Sequence, residues 1–322
     1  MRAAVLTTPG EPPAPAQHPA PEPAGRTLVR MTAAPIVPLD LLCASGTSYF
    51  GRPATPYVPG TQGVGVVEQS ATWPEGARVF VVTTAGMAPG DGSLAERCAV
   101  PDEAVVPLPD GVPDADAAAL GMSAVAAWMA LTDRARLGAG ETVLVLGAGG
   151  TVGQVAVAAA KLLGAGRVVA LCRSDAADER ARRAGADAVV RLDPDVDRLA
   201  GALTDAVGGR ADVVVDPVFG VAATAASRVL APFGRLVNLG GAGGDVAEFS
   251  SAVLRSHTAS VLGYTNAMLS PDQQREALET VLGHAAAGRL AVAHEQVPLS
   301  GVGDAWRRQA SGQAGVRLVV TP

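Results

Sequence analysis

The residues with the clearest chemical potential are the glycines of LGAGGTVGQ, at 147, 149, 150 and 153. Glycines between an apolar run and a helical pattern let the backbone approach a pyrophosphate, whose charge is then held by unpaired N–H groups at a helix N-terminus. Gly150, Thr151, Val152 and Gly153 would form that cradle. The strict G-x-G-x-x-G spacing fails by one residue. Counting back from Gly153 puts Ala148 where the first glycine belongs and leaves A-x-G-x-x-G. Such a turn also serves simple packing, so its neighbours must decide.

Those neighbours have the order that a dinucleotide site requires. Residues 142–146, TVLVL, are a short β-branched apolar run of the kind buried on both faces of a parallel sheet. From Val152 the apolar positions Val155, Ala156, Ala159, Ala160 and Leu163 recur at helical spacing, with small side chains for close approach to a sheet. Residues 167–172 return as a second strand, which ends at Cys172, Arg173 and Ser174. An acidic residue at that point would take the ribose hydroxyls of NAD. A neutral residue followed by a guanidinium suits the 2′-phosphate of NADPH, which arginine holds bidentately. Asp175 nearby argues the other way, and a solvated Arg173 is the bland alternative.

Further strands at 188–192, 211–215 and 234–239 alternate with helical stretches at 199–207 and 221–230, and a helix is expected over 271–288. Strands and helices in alternation give an α/β fold with a doubly wound parallel sheet, a Rossmann domain. Before it, strands at 1–7, 27–33, 64–68, 78–83 and 95–100 among frequent prolines and glycines make residues 1–120 mostly β. The proline-rich stretch 9–23 is expected to be a stiff surface loop, and 114–131 an Ala-rich helix with acidic residues in its first turn. The expected organisation is a catalytic domain over 1–120, a nucleotide domain over 121–266 and a segment over 267–322 that returns to the first domain.

Composition narrows the partners. A net charge of −6 without a basic run argues against nucleic acid and anionic membranes. The three cysteines are scattered and odd in number, which fits a reducing cytoplasm better than a disulfide framework. No leader-like apolar core opens the chain, and no uninterrupted apolar run reaches membrane-spanning length.

Several blocks in order carry a resemblance: VPLDLLCASG and PYVPGTQGVGVVE early, ALGMSAVAAWMAL before the glycine turn, then ADVVVDPVFG, LAPFGRLVNLG and the closing GVRLVV. Together they resemble the zinc-independent quinone oxidoreductases of the medium-chain dehydrogenase/reductase superfamily. The resemblance implies a GroES-like catalytic domain beside the Rossmann domain. Where zinc-dependent relatives carry metal ligands, this chain has Val37, Thr61, Gln62 and Gly121, and the four-cysteine lobe for structural zinc is missing; no metal is expected.

The same resemblance places the nicotinamide near Ala126, Leu239, Gly240, Gly263, Tyr264 and Arg317, and makes Tyr49 the candidate proton donor or substrate-positioning group. It departs from the family at Val37 and Ala126, where many members have Asn and Thr. With no metal to polarise an alcohol, hydride transfer from NADPH to a quinone or an α,β-unsaturated carbonyl is the expected reaction, because such acceptors are already activated. An enoyl-thioester or biosynthetic tailoring reductase, and a low-turnover NADPH-binding sensor, are the alternatives. The resemblance also implies a homodimer joined through edge strands of the nucleotide domain.

Overall fold

Along Thr27–Pro35, Thr27, Val29, Met31 and Ala33 are buried while Arg30 is exposed, the period-two pattern of a half-buried strand. Such strands build the first of two compact units in the computed structural model, which describes residues 1–48 and 50–322. Unit 1 comprises residues 1–121, 278–288 and 292–322, and unit 2 residues 122–277 and 289–291.

Unit 1 opens with β1 (Arg2–Val5) and β2 (Ala14–Gln17), paired antiparallel. The expected loop over 9–23 therefore contains a strand. Pro15 stands opposite Ala4 in a two-stranded ribbon, where a residue lacking an N–H is tolerated at the edge. After β3 (Thr27–Pro35) comes α1 (Pro38–Ser45), a helix that the interrupted periodicity did not predict. Pro38 opens it, Asp40 caps its first turn, and Gly46 at φ 75° ends it. The strands β4 (Gln62–Gln69), β5 (Arg78–Val82), β6 (Arg97–Val100) and β7 (Val105–Pro107) follow.

The helical stretch α2 (Asp114–Met129) is not continuous as expected. Gly121 takes φ 40° and ψ −143° and breaks it, and a π-helical turn, Ala130–Arg134, extends its end. Residues 114–134 are apolar enough on average to cross a membrane, but most of that stretch is buried in the protein.

Unit 2 continues with β8 (Thr142–Leu146), α3 (Thr151–Leu162), β9 (Arg167–Cys172), α4 (Asp175–Arg183), β10 (Ala188–Arg191), α5 (Val196–Val207), β11 (Ala211–Asp216), α6 (Gly220–Ser227), β12 (Leu230–Asn238), α7 (Ser251–His257) and β13 (Ser260–Gly263). Leu230 starts a strand instead of ending a helix, because its backbone pairs with Ala211. Among the described residues the sheet has six parallel strands in the order β10-β9-β8-β11-β12-β13. The order reverses around β8, with Leu146 opposite Leu171 on one side and Val143 opposite Val213 on the other. Ligands of open parallel sheets bind at such a switch, beyond the carboxyl ends of the strands.

After α8 (Pro271–Ala286) the chain adds β14 (His294–Pro298), α9 (Val302–Ala310) and β15 (Arg317–Thr321) to unit 1. Its larger sheet runs β14-β15-β3-β4-β5-β7, with β6 on β3.

Candidate active site

The glycine turn at the end of β8 divides its work among four residues. Gly147 adopts the left-handed region at φ 62°, and a Cβ on it would lie 2.5 Å from Val218 Cγ2. Ala148 is not left-handed, so the turn accepts its methyl group, which is fully buried. That is why A-x-G-x-x-G suffices here: the residue that must be glycine for conformational reasons is one position earlier. A Cβ on Gly149 would stand 2.3 Å from Ala177 Cβ, and one on Gly153 only 2.4 Å from Gly147 O. These two let α4 and α3 pack directly onto the turn. Gly150 alone has space, its nearest neighbour being Gly147 O at 3.4 Å.

Gly150 caps α3 and leaves the first-turn N–H groups of a twelve-residue helix facing outward. Two residues that sequence reasoning missed fix this cradle. The buried Gln154 amide donates to Gly149 O at 3.1 Å and to Gly150 O at 3.3 Å, and Arg180 Nε donates to Gly149 O at 2.8 Å. Both lie in helices whose period reports packing and not what a side chain reaches across a turn.

At the end of β9, Cys172 is buried, and burial pushes its thiol up to about 11. Arg173 is exposed, and Ser174 caps α4 by accepting from Ala177 N at 3.3 Å. Arg191 lies in register opposite Cys172 on β10 and pairs with Asp175 and, at 2.8 Å, with Asp178. Asp175, the residue that argued against a phosphate, is thus engaged by an arginine.

The ends of β11, β12 and β13 form a connected polar set. Asp216 is fully buried; its Oδ1 accepts from Val218 N at 3.0 Å and Phe219 N at 2.7 Å, and Oδ2 accepts from Asn238 Nδ2 at 3.2 Å. Burial raises its carboxyl pKa against these bonds. Leu239 N donates to Asp216 O at 2.8 Å, and Gly240 O accepts from Asn238 Nδ2 at 2.9 Å. Gly263 O accepts from Arg134 Nε at 3.0 Å. The Tyr264 hydroxyl donates to Asn266 Oδ1 at 2.7 Å, and Asn266 Nδ2 donates to Met122 O at 2.8 Å. Leu239, Gly240, Gly263 and Tyr264 therefore gather beyond the carboxyl ends of the same sheet that carries the glycine turn, and Ala126 lies half-buried on α2.

In unit 1, Asp40 accepts from Val37 N and Thr61 N, each at 2.8 Å, and burial raises its pKa against those bonds and the nearby Arg317 charge. Arg317 is 5% exposed and donates from Nη1 to Ile36 O at 2.9 Å. Burial lowers its guanidinium to about 10, with Asp40 opposing. Arg317 is thus an interior residue of unit 1. The buried Gln62 packs its side-chain amide on Gly121. Among the described residues, no three His, Cys, Asp or Glu side chains are grouped to hold a metal. Tyr49 lies outside the described residues.

Two family models match: an alcohol dehydrogenase GroES-like domain over residues 23–110 and a zinc-binding dehydrogenase domain over residues 151–283. The chain is 31% identical over 271 residues to quinone oxidoreductase-like protein 2 of Mus musculus, a match covering 81% of this chain and 74% of that protein. It is 33% identical over 299 residues to a phenolphthiocerol/phthiocerol polyketide synthase subunit of Mycobacterium tuberculosis; the match covers 91% of this chain, which spans 13% of that relative's length. The fold also matches a mycobacterial protein solved in complex with NADPH, with a TM-score of 0.88 and 23% identity over the full length of both chains. The chain belongs to the quinone oxidoreductase-like family of medium-chain dehydrogenases/reductases.

Proposed function

We propose that the chain is an NADPH-dependent reductase that transfers hydride to a quinone or an α,β-unsaturated carbonyl without a metal, as a cytoplasmic homodimer. The observation that carries this reading is the pairing of a built phosphate cradle, open at Gly150, with a β9 end made of Cys172 and Arg173 instead of an acid. The fold neighbour solved with NADPH supports the view that this architecture accommodates such a nucleotide. Side chains without metal-binding capacity at Val37, Thr61 and Gln62, and the absence of any side chain at Gly121, support a zinc-free reaction. The exposed edge strand β13 supports pairing with a second copy, and the free thiols Cys43, Cys98 and Cys172 support a reducing compartment.

When bound, NADPH supplies the hydride and leaves as NADP⁺, so the acceptor gains two electrons and, with one proton from water or a tyrosine, two hydrogens. The first-turn N–H groups at Thr151, Val152 and Gly153 hold the pyrophosphate, and Arg173 with Ser174 holds the 2′-phosphate. Ala126, Leu239, Gly240, Gly263 and Tyr264 bound the nicotinamide, Arg317 braces unit 1 beside Asp40, and Tyr49 orients the acceptor.

A second reading, an enoyl-thioester or tailoring reductase, draws support from the similarity to a polyketide synthase subunit over 91% of this chain. The test is the loss of NADPH absorbance with naphthoquinones, enones and enoyl thioesters, each with and without chelator. Chelator-insensitive turnover of quinones or enones is expected. Turnover confined to thioesters would favour the second reading, tight NADPH binding without turnover would favour a sensor, and zinc-restored activity would overturn the metal-free reaction.

A further inference from the structure

Unit 2 carries a second concave site, apart from the glycine turn. A cavity of about 550 Å³ is bounded by Asp133, Arg134, Arg136, Glu141, Phe233 and Arg235. Glu141 precedes β8, and Phe233 and Arg235 stand early in β12, whereas the glycine turn follows the far end of β8 at Leu146. The cavity therefore lies toward the amino ends of these strands, away from the phosphate cradle. Its volume is that of a small-molecule site.

Its floor is fixed by hydrogen bonds within the protein. Arg235 is committed to Glu141 through both Nη groups, at 2.8 and 2.9 Å, and its Nε and Nη2 also donate to Ala135 O at 2.9 and 2.8 Å. That fork pins the backbone between Arg134 and Arg136. Arg134 Nε donates to Gly263 O, whereas its Nη groups and the Arg136 guanidinium make no hydrogen bond or ion pair among the described residues. Arg136 at φ 50° and Phe233 at φ 61° both hold the left-handed backbone that favours glycine. Residues kept in such conformations gather at ligand sites. The Phe233 ring is left 71% exposed, beside the cavity that both arginines line. With Glu141 offset by Arg235, two guanidinium groups face one carboxylate, Asp133, whose charge is also felt at Tyr264: burial and then Asp133 raise that phenol. The balance at the cavity is positive.

We propose that this cavity binds a small aromatic anion, its carboxylate or phosphate taken by Arg134 and Arg136 and its ring stacked on Phe233. Each part of the site selects one part of the ligand. Guanidinium forks hold a carboxylate or phosphate by bidentate, charge-assisted bonds, and an exposed ring on constrained backbone covers its apolar face by stacking on another. An inorganic anion would leave Phe233 in water, and a neutral aromatic would leave both guanidinium groups without a counter-charge. Nothing in this binding draws on hydride transfer.

The test is calorimetric titration of 1-naphthyl phosphate, 2-naphthoate, inorganic phosphate and 2-naphthalenemethanol into wild type, Arg134→Gln, Arg136→Gln and Phe233→Gly, each with and without saturating NADP⁺. The wild type should bind one or both naphthyl anions, with inorganic phosphate and the alcohol about tenfold or more weaker. Whichever naphthyl anion binds more tightly names the charged group. Arg134→Gln and Arg136→Gln should each weaken that binding about 10-fold to 100-fold. Phe233→Gly should weaken it about 2-fold to 10-fold while melting within a few degrees of wild type, because glycine accepts its backbone. NADP⁺ should leave these affinities unchanged. No naphthyl binding by the wild type, affinities that the variants retain, or inorganic phosphate as tight as naphthyl phosphate overturns the proposal. So does displacement by NADP⁺, which would put the probe in the cofactor cradle. Should Arg134→Gln unfold through loss of its bond to Gly263, Arg136→Gln and Phe233→Gly, both at exposed positions, carry the test.

Discussion

Gln62 and Gly121 exclude a side chain between them: a Cβ on Gly121 would lie 2.5 Å from Gln62 Oε1 and 3.0 Å from its Cδ. Gly121 also takes φ 40° and ψ −143°, which side chains rarely tolerate. Gly121→Ala therefore meets both a clash and backbone strain, and should cost about 2–4 kcal/mol. Urea unfolding measures it. A loss below about 0.5 kcal/mol would show that the helix break relaxes without cost.

The turn glycines separate packing from ligand approach. Gly153→Ala puts a methyl 2.4 Å from Gly147 O, whereas Gly150→Ala meets nothing closer than 3.4 Å. Gly153→Ala should lower stability by about 1–3 kcal/mol. Gly150→Ala should keep its melting temperature within a few degrees yet bind NADPH about tenfold or more weakly, because its methyl occupies the space left for phosphate. Equal NADPH affinity for Gly150→Ala and wild type, by calorimetric titration, would remove Gly150 from the cradle.

The cofactor preference rests on one guanidinium. Arg173→Ala should raise the Kd for NADPH about 10-fold to 100-fold, the worth of a charge-assisted contact, and leave NADH nearly unchanged. Parallel titrations with both nucleotides check this. A proportionate loss for both would mean that Arg173 supports the loop and does not read the 2′-phosphate.

What the residues disclose in advance depends on how local the cause is. The strands β8 and β9 and the turn between β8 and α3 are legible because apolar runs and glycines act over a few neighbours. The eight residues of α1 hide between Pro38 and Gly46, the same residue types that punctuate loops. The break at Gly121 is invisible in an Ala-rich helical pattern, since the side chain packed against it, Gln62, arrives from β4. Gln154 and Arg180 read as ordinary helical positions, and only the folded chain brings them to Gly149 O. Long-range contacts of this kind leave no periodic trace.

Arg235 and Glu141 give unit 2 an acid-sensitive brace. Arg235 Nη1 donates to Oε1 at 2.8 Å and Nη2 to Oε2 at 2.9 Å, while Gly138 N donates to Oε2 at 2.8 Å. Both side chains are largely shielded, at 19% and 27% exposure, so solvent screening is only partial. The Arg235 hydrogen bonds hold the Glu141 carboxyl below its ordinary 4.5. A lowered folded pKa means that the unfolded chain binds protons first as pH falls. The stability from this pair is therefore present above 4.5 and is lost as pH drops through the lowered value. Glu141→Gln should cost about 1–2 kcal/mol at neutral pH, with the difference from wild type shrinking below pH 4.5. Denaturant unfolding across that range checks it, and a difference that grows on acidification would reverse the assignment of the charge to this pair.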